Sequence, residues 1–129
     1  MRPAPIPDAD SAFFWEGLRG GRLLLQRCSA CARHRFPPMP SCPYCASRSS
    51  SIVQAAGRGS IYSWVVVHRA FDPAFAGEVP YTILTVALDE GPKMLGRMTG
   101  GAHAAFGGRV KASYADHGEW TELRFSSEA

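Results

Sequence analysis

Two Cys-x-x-Cys pairs, Cys28-Ser29-Ala30-Cys31 and Cys42-Pro43-Tyr44-Cys45, stand ten residues apart and contain every cysteine in the chain. Each such turn presents two thiolates to one side of a tight loop, and zinc takes four ligands in a tetrahedron. The pattern therefore predicts one structural zinc held by Cys28, Cys31, Cys42 and Cys45 in a zinc ribbon, with iron as the alternative metal. A disulfide pair is the competing reading, and it requires an oxidising compartment. Residues Met1 to Pro7 carry no apolar stretch of signal-peptide type, and the longest apolar runs, Leu23 to Leu25 and Trp64 to Val67, are far short of a bilayer span of about 20 residues. The expectation is a cytoplasmic protein with reduced, metal-bound thiols. A closed four-thiolate shell has no open position for water or substrate, so this zinc is not expected to be catalytic, and no cysteine is left over as a nucleophile.

At 129 residues there is room for one small domain with a minidomain attached, and 46% hydrophobic against 19% charged residues is a globular balance. Asp8 or Asp10 can cap a short helix over residues 10–19, with Phe14 and Leu18 on one face and Gly20-Gly21 stopping it. Arg22 to Arg27 reads as a strand entering the first cysteine pair. Arg33 to Pro40 forms a proline-stiffened connection to the second, and Ser49-Ser50-Ser51 reads as a linker. Beyond it, turn residues punctuate β-rich stretches at about Gly59 to His68, Tyr81 to Asp89, Lys93 to Met98, Arg109 to Tyr114 and Thr121 to Phe125. Glu90-Gly91-Pro92 makes a tight turn, and Thr99 to Gly107 is a crossing rich in glycine and alanine. Five strands with a connection after the third fit an OB-fold barrel, with an open β-sandwich as the alternative. The expected fold is thus mainly β, divided as a helical segment (1–21), a zinc ribbon (22–50) and a five-stranded OB-fold domain (51–129).

The net charge of +3 is unevenly spread, with +5 in residues 1–58 and −2 in residues 59–129. Any basic surface belongs to the ribbon and its flanks, where the arginines either solubilise a module with little core or serve an interface.

Nothing in the rest of the chain composes a catalytic set. His34, His68, His103 and His117 are scattered, none with an acid or nucleophile at diagnostic spacing. Gly57-Arg58-Gly59 and Gly100-Gly101 serve turns rather than phosphates. The segment from His68 to Tyr81 is a long loop carrying Arg69, Phe71, Asp72, Phe75 and Glu78. Long loops on rigid barrels often bind ligands or partners, although aromatics there can equally cover a barrel end.

Taken in order, Phe14-Trp15-Glu16-Gly17-Leu18, Gly21-Arg22-Leu23, Gln26-Arg27-Cys28, Phe36-Pro37-Pro38, Cys42-Pro43-Tyr44-Cys45, Gly57-Arg58-Gly59 and Val79-Pro80-Tyr81 resemble the family once called domain of unknown function thirty-five. The resemblance runs through nearly the whole chain. It implies a short helical region, a rubredoxin-like zinc ribbon and a C-terminal OB-fold, in an accessory subunit of thiolase-like enzymes: thiolases, aldolases acting on steroid side-chain CoA thioesters, and acyltransferases. It implies a thiolase-like protein subunit as partner, with homodimerisation or a heterotetramer left open. It also implies a CoA or acyl-CoA site bordered or shared by this chain, for which Arg69, Phe71, Phe75 and Tyr81 are the candidate contacts. Two departures stand out. Alanines occupy positions 32 and 46, where ribbon knuckles favour glycine, and a left-handed alanine costs about 1 kcal/mol. The match is also weak from Gly100 to Gly108.

Three functions follow in order of preference. The first is a non-catalytic scaffold subunit of a thiolase-superfamily complex acting on CoA thioesters in lipid or steroid side-chain metabolism. The second is a single-stranded nucleic-acid-binding module, for which Tyr81 to Asp89 and Lys93 to Met98 supply one aromatic, Tyr81, on a net acidic barrel half. The third is an independent hydrolase or transferase using His68 or His103.

Overall fold

The computed structural model describes residues 2–100 and 103–128. Helix α1 (Ala12–Arg19) buries Phe14, Gly17 and Leu18, the apolar face expected from the four-residue spacing. Its N-cap is Ser11 rather than an aspartate. Asp8 instead closes the preceding turn, its Oδ1 accepting the Ser11 N–H at 2.8 Å while the Ser11 hydroxyl accepts the Asp8 N–H at 3.1 Å. The helix ends as its sequence predicts: Gly21 N–H donates to Leu18 O and Arg22 N–H to Gly17 O, a pair of bonds that requires the left-handed φ of +72° at Gly21.

Strands β1 (Leu24–Cys28), β2 (His34–Arg35) and β3 (Ser50–Gln54) form an antiparallel sheet in the order β2-β1-β3. The serine stretch is therefore not a linker: Ser50 and Ser51 pair with Cys28 and Arg27, and residues 51–54, assigned from the sequence to the barrel, continue along β1. No residue of β3 is fully buried and only Val53 is half-buried, so the strand is held by backbone bonds to β1 and carries no alternating apolar signal.

Strands β4 (Arg58–Val67), β5 (Tyr81–Leu88), β6 (Lys93–Thr99), β7 (Arg109–Asp116) and β8 (Thr121–Ser127) close a barrel in the order β4-β5-β6-β8-β7. This is the five-stranded OB-fold layout, each strand within a few residues of its predicted bounds. Closure runs through a parallel β6–β8 pairing that sets Arg97 opposite Arg124. Strand β4 bends at a bulge between Ile61 and Ser63. The inward residues Leu84, Val86, Met94, Val110 and Phe125 are almost wholly buried, each stabilising the barrel by roughly 1.5–3 kcal/mol. Gly96 is needed opposite Phe125, since a Cβ there would lie 2.6 Å from the ring. In the crossing after β6, Gly101 of the predicted Gly100-Gly101 turn lies outside the described residues, while Gly100 has φ +82°. Among the described residues no helix is long and apolar enough to cross a membrane.

Candidate metal centre

The two cysteine turns have the same local structure. In the first, Cys28 N–H donates to Arg33 O at 2.9 Å and Ala32 N–H to Cys28 O at 3.0 Å; in the second, Cys42 N–H donates to Ser47 O at 2.8 Å and Ala46 N–H to Cys42 O at 2.9 Å. Closing each turn puts Ala32 at φ +65° and Ala46 at φ +67°. These are the left-handed positions where the sequence departs from glycine, and both alanines adopt the strained form. Backbone N–H groups also reach the sulfurs, from Cys31 to Cys28 Sγ at 3.5 Å and from Tyr44 to Cys42 Sγ at 3.4 Å.

Folding these turns face to face brings all four Sγ atoms within 4.8 Å of one another. Cys28 Sγ lies 3.5 Å from Cys45 Sγ, and Cys31 Sγ lies 3.6 Å from Cys42 Sγ. A tetrahedral zinc with sulfur bonds of about 2.3 Å has sulfur–sulfur edges near 3.8 Å, so the donor set fits zinc in identity, number and spacing. Backbone N–H groups of Cys31 and Ala30 draw the Cys28 thiol down to about 6, while Cys45, despite the Ser47 N–H, is pushed up to about 11 by the neighbouring sulfurs, so the four thiols share their protons unequally.

Around the centre the ribbon has almost no apolar interior. From Ser29 to Ile52 the only buried residues are Arg35 and Cys42. Arg35, 2% exposed, donates from Nε to Gln26 Oε1 at 3.2 Å and from Nη2 to Met39 O at 3.1 Å, and Met39 N–H donates to the same Gln26 oxygen at 2.8 Å. This triangle fixes the Phe36 to Pro40 connection against β1.

The loop candidates fall into two groups. Arg69 stacks on Phe71, which is 84% exposed, and the two project from the barrel. Phe75 and Tyr81 form a second aromatic pair with centroids 6.3 Å apart, capped by Arg2 on Phe75 and by Arg97 on Tyr81. Arg2 and Arg97 both bond Glu78 and hold its carboxyl down at about 2, clipping the loop to the N-terminal segment and to β6. Sequence reasoning placed Glu78 on the loop but missed this clip, whose partners are 76 and 19 residues away.

His34, His68 and His103 have no ion pair among the described residues. His117 does have an acid partner that the sequence reading missed: its Nε2 lies 2.8 Å from Glu122 Oε1 across the β7–β8 turn. Burial works to raise the Glu122 carboxyl, but hydrogen bonds from Arg124 and His117 outweigh it and leave it below the usual range. A turn that pairs Asp116 with Thr121 brings positions 117 and 122 together, a signal that spacing alone does not carry.

The chain matches the family models for the ChsH2 rubredoxin-like zinc ribbon domain over residues 15–50 and for the ChsH2 C-terminal OB-fold domain over residues 52–115. It is 42% identical over 100 residues to a probable enoyl-CoA hydratase alpha subunit of Thermomonospora curvata, covering 78% of this chain and 31% of that protein. It is 37% identical over 123 residues to the 3-oxo-4,17-pregnadiene-20-carboxyl-CoA hydratase alpha subunit of Mycobacterium tuberculosis, covering 94% of this chain and 38% of that protein. The chain thus spans about a third of the length of these relatives. Among solved structures it resembles a chain of an Ltp2-ChsH2(DUF35) aldolase, with 36% identity, a TM-score of 0.88, and coverage of 98% of this chain and 100% of that one.

Proposed function

This chain belongs to the ChsH2 family of a rubredoxin-like zinc ribbon followed by an OB-fold, and we propose that it is a non-catalytic scaffold subunit of a thiolase-superfamily complex acting on CoA thioesters. The observation that carries the reading is its likeness, along 98% of its length, to a chain of an Ltp2-ChsH2(DUF35) aldolase. The site chemistry agrees with it. Four thiolates that close on one metal hold a fold together and offer no position to a substrate.

The carbon–carbon bond chemistry belongs to the partner's active site, on an acyl chain of lipid or steroid side-chain type. Arg69 and Phe71, projecting from the barrel, and the Phe75–Tyr81 pair behind them border that site and contact CoA or the partner. A reducing compartment, the cytoplasm, keeps the four thiols available for metal. The nucleic-acid alternative draws little support from the barrel face, where Tyr81 is half-buried under Arg97 and Tyr62 is the exposed aromatic of β4.

The test is to assay this chain, a co-expressed thiolase-like protein, and the two together for cleavage or condensation of acyl-CoA thioesters. Full activity is expected only from the pair. Turnover by this chain alone would refute a non-catalytic role, and a partner indifferent to its presence would refute the scaffold.

A further inference from the structure

Helix α1 and the Phe36-Pro37 turn lean over β5, β6 and β8 without filling the space beneath, and they leave a cleft of about 590 Å³. Small-molecule sites typically measure about 300–1,000 Å³, lined by apolar and aromatic side chains with a few polar groups, and this cleft has that size and lining. One wall is aromatic: Phe14 of α1 meets Phe36 with ring centroids 5.2 Å apart, and Trp15 meets Trp120 edge to face at 6.1 Å. The opposite wall is the outer surface of the barrel, with Ile83 and Leu95. Leu95 is 64% exposed in the middle of β6, on the face it shares with Lys93 and Arg97, where burial in this chain gives it no role.

The charged groups of the lining are unequal. Glu122 is held by His117 and Arg124, and Arg97 is paired with Glu78. Lys93 is different: its ammonium rests 4.7 Å from the Tyr62 ring centroid, and among the described residues it has no carboxylate partner. An apolar cleft whose acid is neutralised and whose one unneutralised charge is a cation favours a particular occupant. We propose that it binds an amphipathic organic anion, with the apolar body between the Phe14–Trp15–Trp120 wall and Leu95 and the anionic group at Lys93. The cleft is formed by this chain alone and requires no partner.

Titration of the intact, zinc-loaded protein with decanoate, followed by tryptophan fluorescence because Trp15 and Trp120 line the cleft, tests this directly. Saturable change is expected, and 1-decanol should bind more weakly than decanoate. Lys93→Ala should weaken decanoate about threefold, the effect of an exposed ion pair. Leu95→Glu, at an exposed position that leaves folding intact, should weaken it about tenfold by setting a carboxylate in the apolar wall. Absence of saturable change would overturn the proposal, as would equal binding of decanoate and decanol unaffected by Lys93→Ala. A protein indifferent to decanoate whose Leu95→Glu variant loses a co-purifying subunit would assign the cleft to a partner's side chains and overturn it as well.

Discussion

The ribbon and the barrel solve the same problem of holding a short chain in one shape with opposite means. The barrel has an interior, with Leu84, Val86 and Phe125 fully buried, and Arg58, Arg97, Arg109 and Arg124 on its strands are all ion-paired. The ribbon has four converging thiols in place of an apolar interior, and among the described residues Arg22, Arg27, Arg33, Arg35 and Arg48 have no carboxylate partner. Its sequence explains this, since no acidic residue occurs between Glu16 and Asp72. The difference teaches where each half gets its stability: the barrel from buried apolar area, the ribbon from metal bonds. It also separates a self-sufficient body from a cationic attachment whose charges are balanced by solvent or by a partner.

The largest perturbation should be metal removal. Structural zinc contributes about 10–16 kcal/mol of apparent binding free energy that is also folding free energy. Chelation, or Cys42→Ala, should unfold residues 28–50 while the amides of the barrel and of Leu23 and Leu25, which pack in the barrel's apolar cluster, stay protected, as hydrogen exchange would record. Loss of barrel protection at the same chelator concentration would break the comparison. Next is the barrel core, where Phe125→Ala should cost about 3–5 kcal/mol in urea denaturation without changing the zinc content. Smaller and of opposite sign, Ala32→Gly and Ala46→Gly should each stabilise the ribbon by up to about 1 kcal/mol by relieving the left-handed strain, read as slower zinc loss to a chelator.

The smallest effect concerns the loop clip. The Glu78 carboxyl titrates at about 2 in the folded chain, below its ordinary value of 4.5, so the native state binds this proton more weakly than the unfolded state. Its contribution is present in full above the ordinary value and is lost as pH falls through about 2. Arg97 and Glu78 are partly open to water, which screens the pair. Glu78→Gln should therefore lower thermal stability slightly near neutrality and make no difference below about pH 2, which flattens the acid limb of the curve.

What could be read in the sequence follows the same divide. The four ligands are adjacent in pairs, so their chemistry is local and spacing revealed it. The barrel strands alternate in burial, as in β5, where buried Leu84, Val86 and Leu88 alternate with half-buried Thr85 and Ala87, and their bounds were legible. Strand β3 was hidden because Ser50, Ser51 and Ile52 are exposed and owe their conformation to backbone bonds with β1. The helix start was legible to within a few residues, but Asp8 serves the turn before it rather than the cap. The Glu78 clip and the cleft under α1 join segments that only the closed barrel brings together, while the His117–Glu122 pair depends on the geometry of the β7–β8 turn, which residue spacing does not encode. Of the loop candidates, Phe75 and Tyr81 do come together while Arg69 and Phe71 face outward, a division set by the turn at Pro73–Phe75.

The scaffold role we propose makes this chain a metal-held attachment to an enzyme. Native mass spectrometry of the chain co-expressed with a thiolase-like protein tests it most directly. The account predicts a complex containing one zinc per copy of this chain that dissociates when chelation removes the metal. A complex that stays intact without zinc, or a zinc-loaded chain that remains alone, would contradict it.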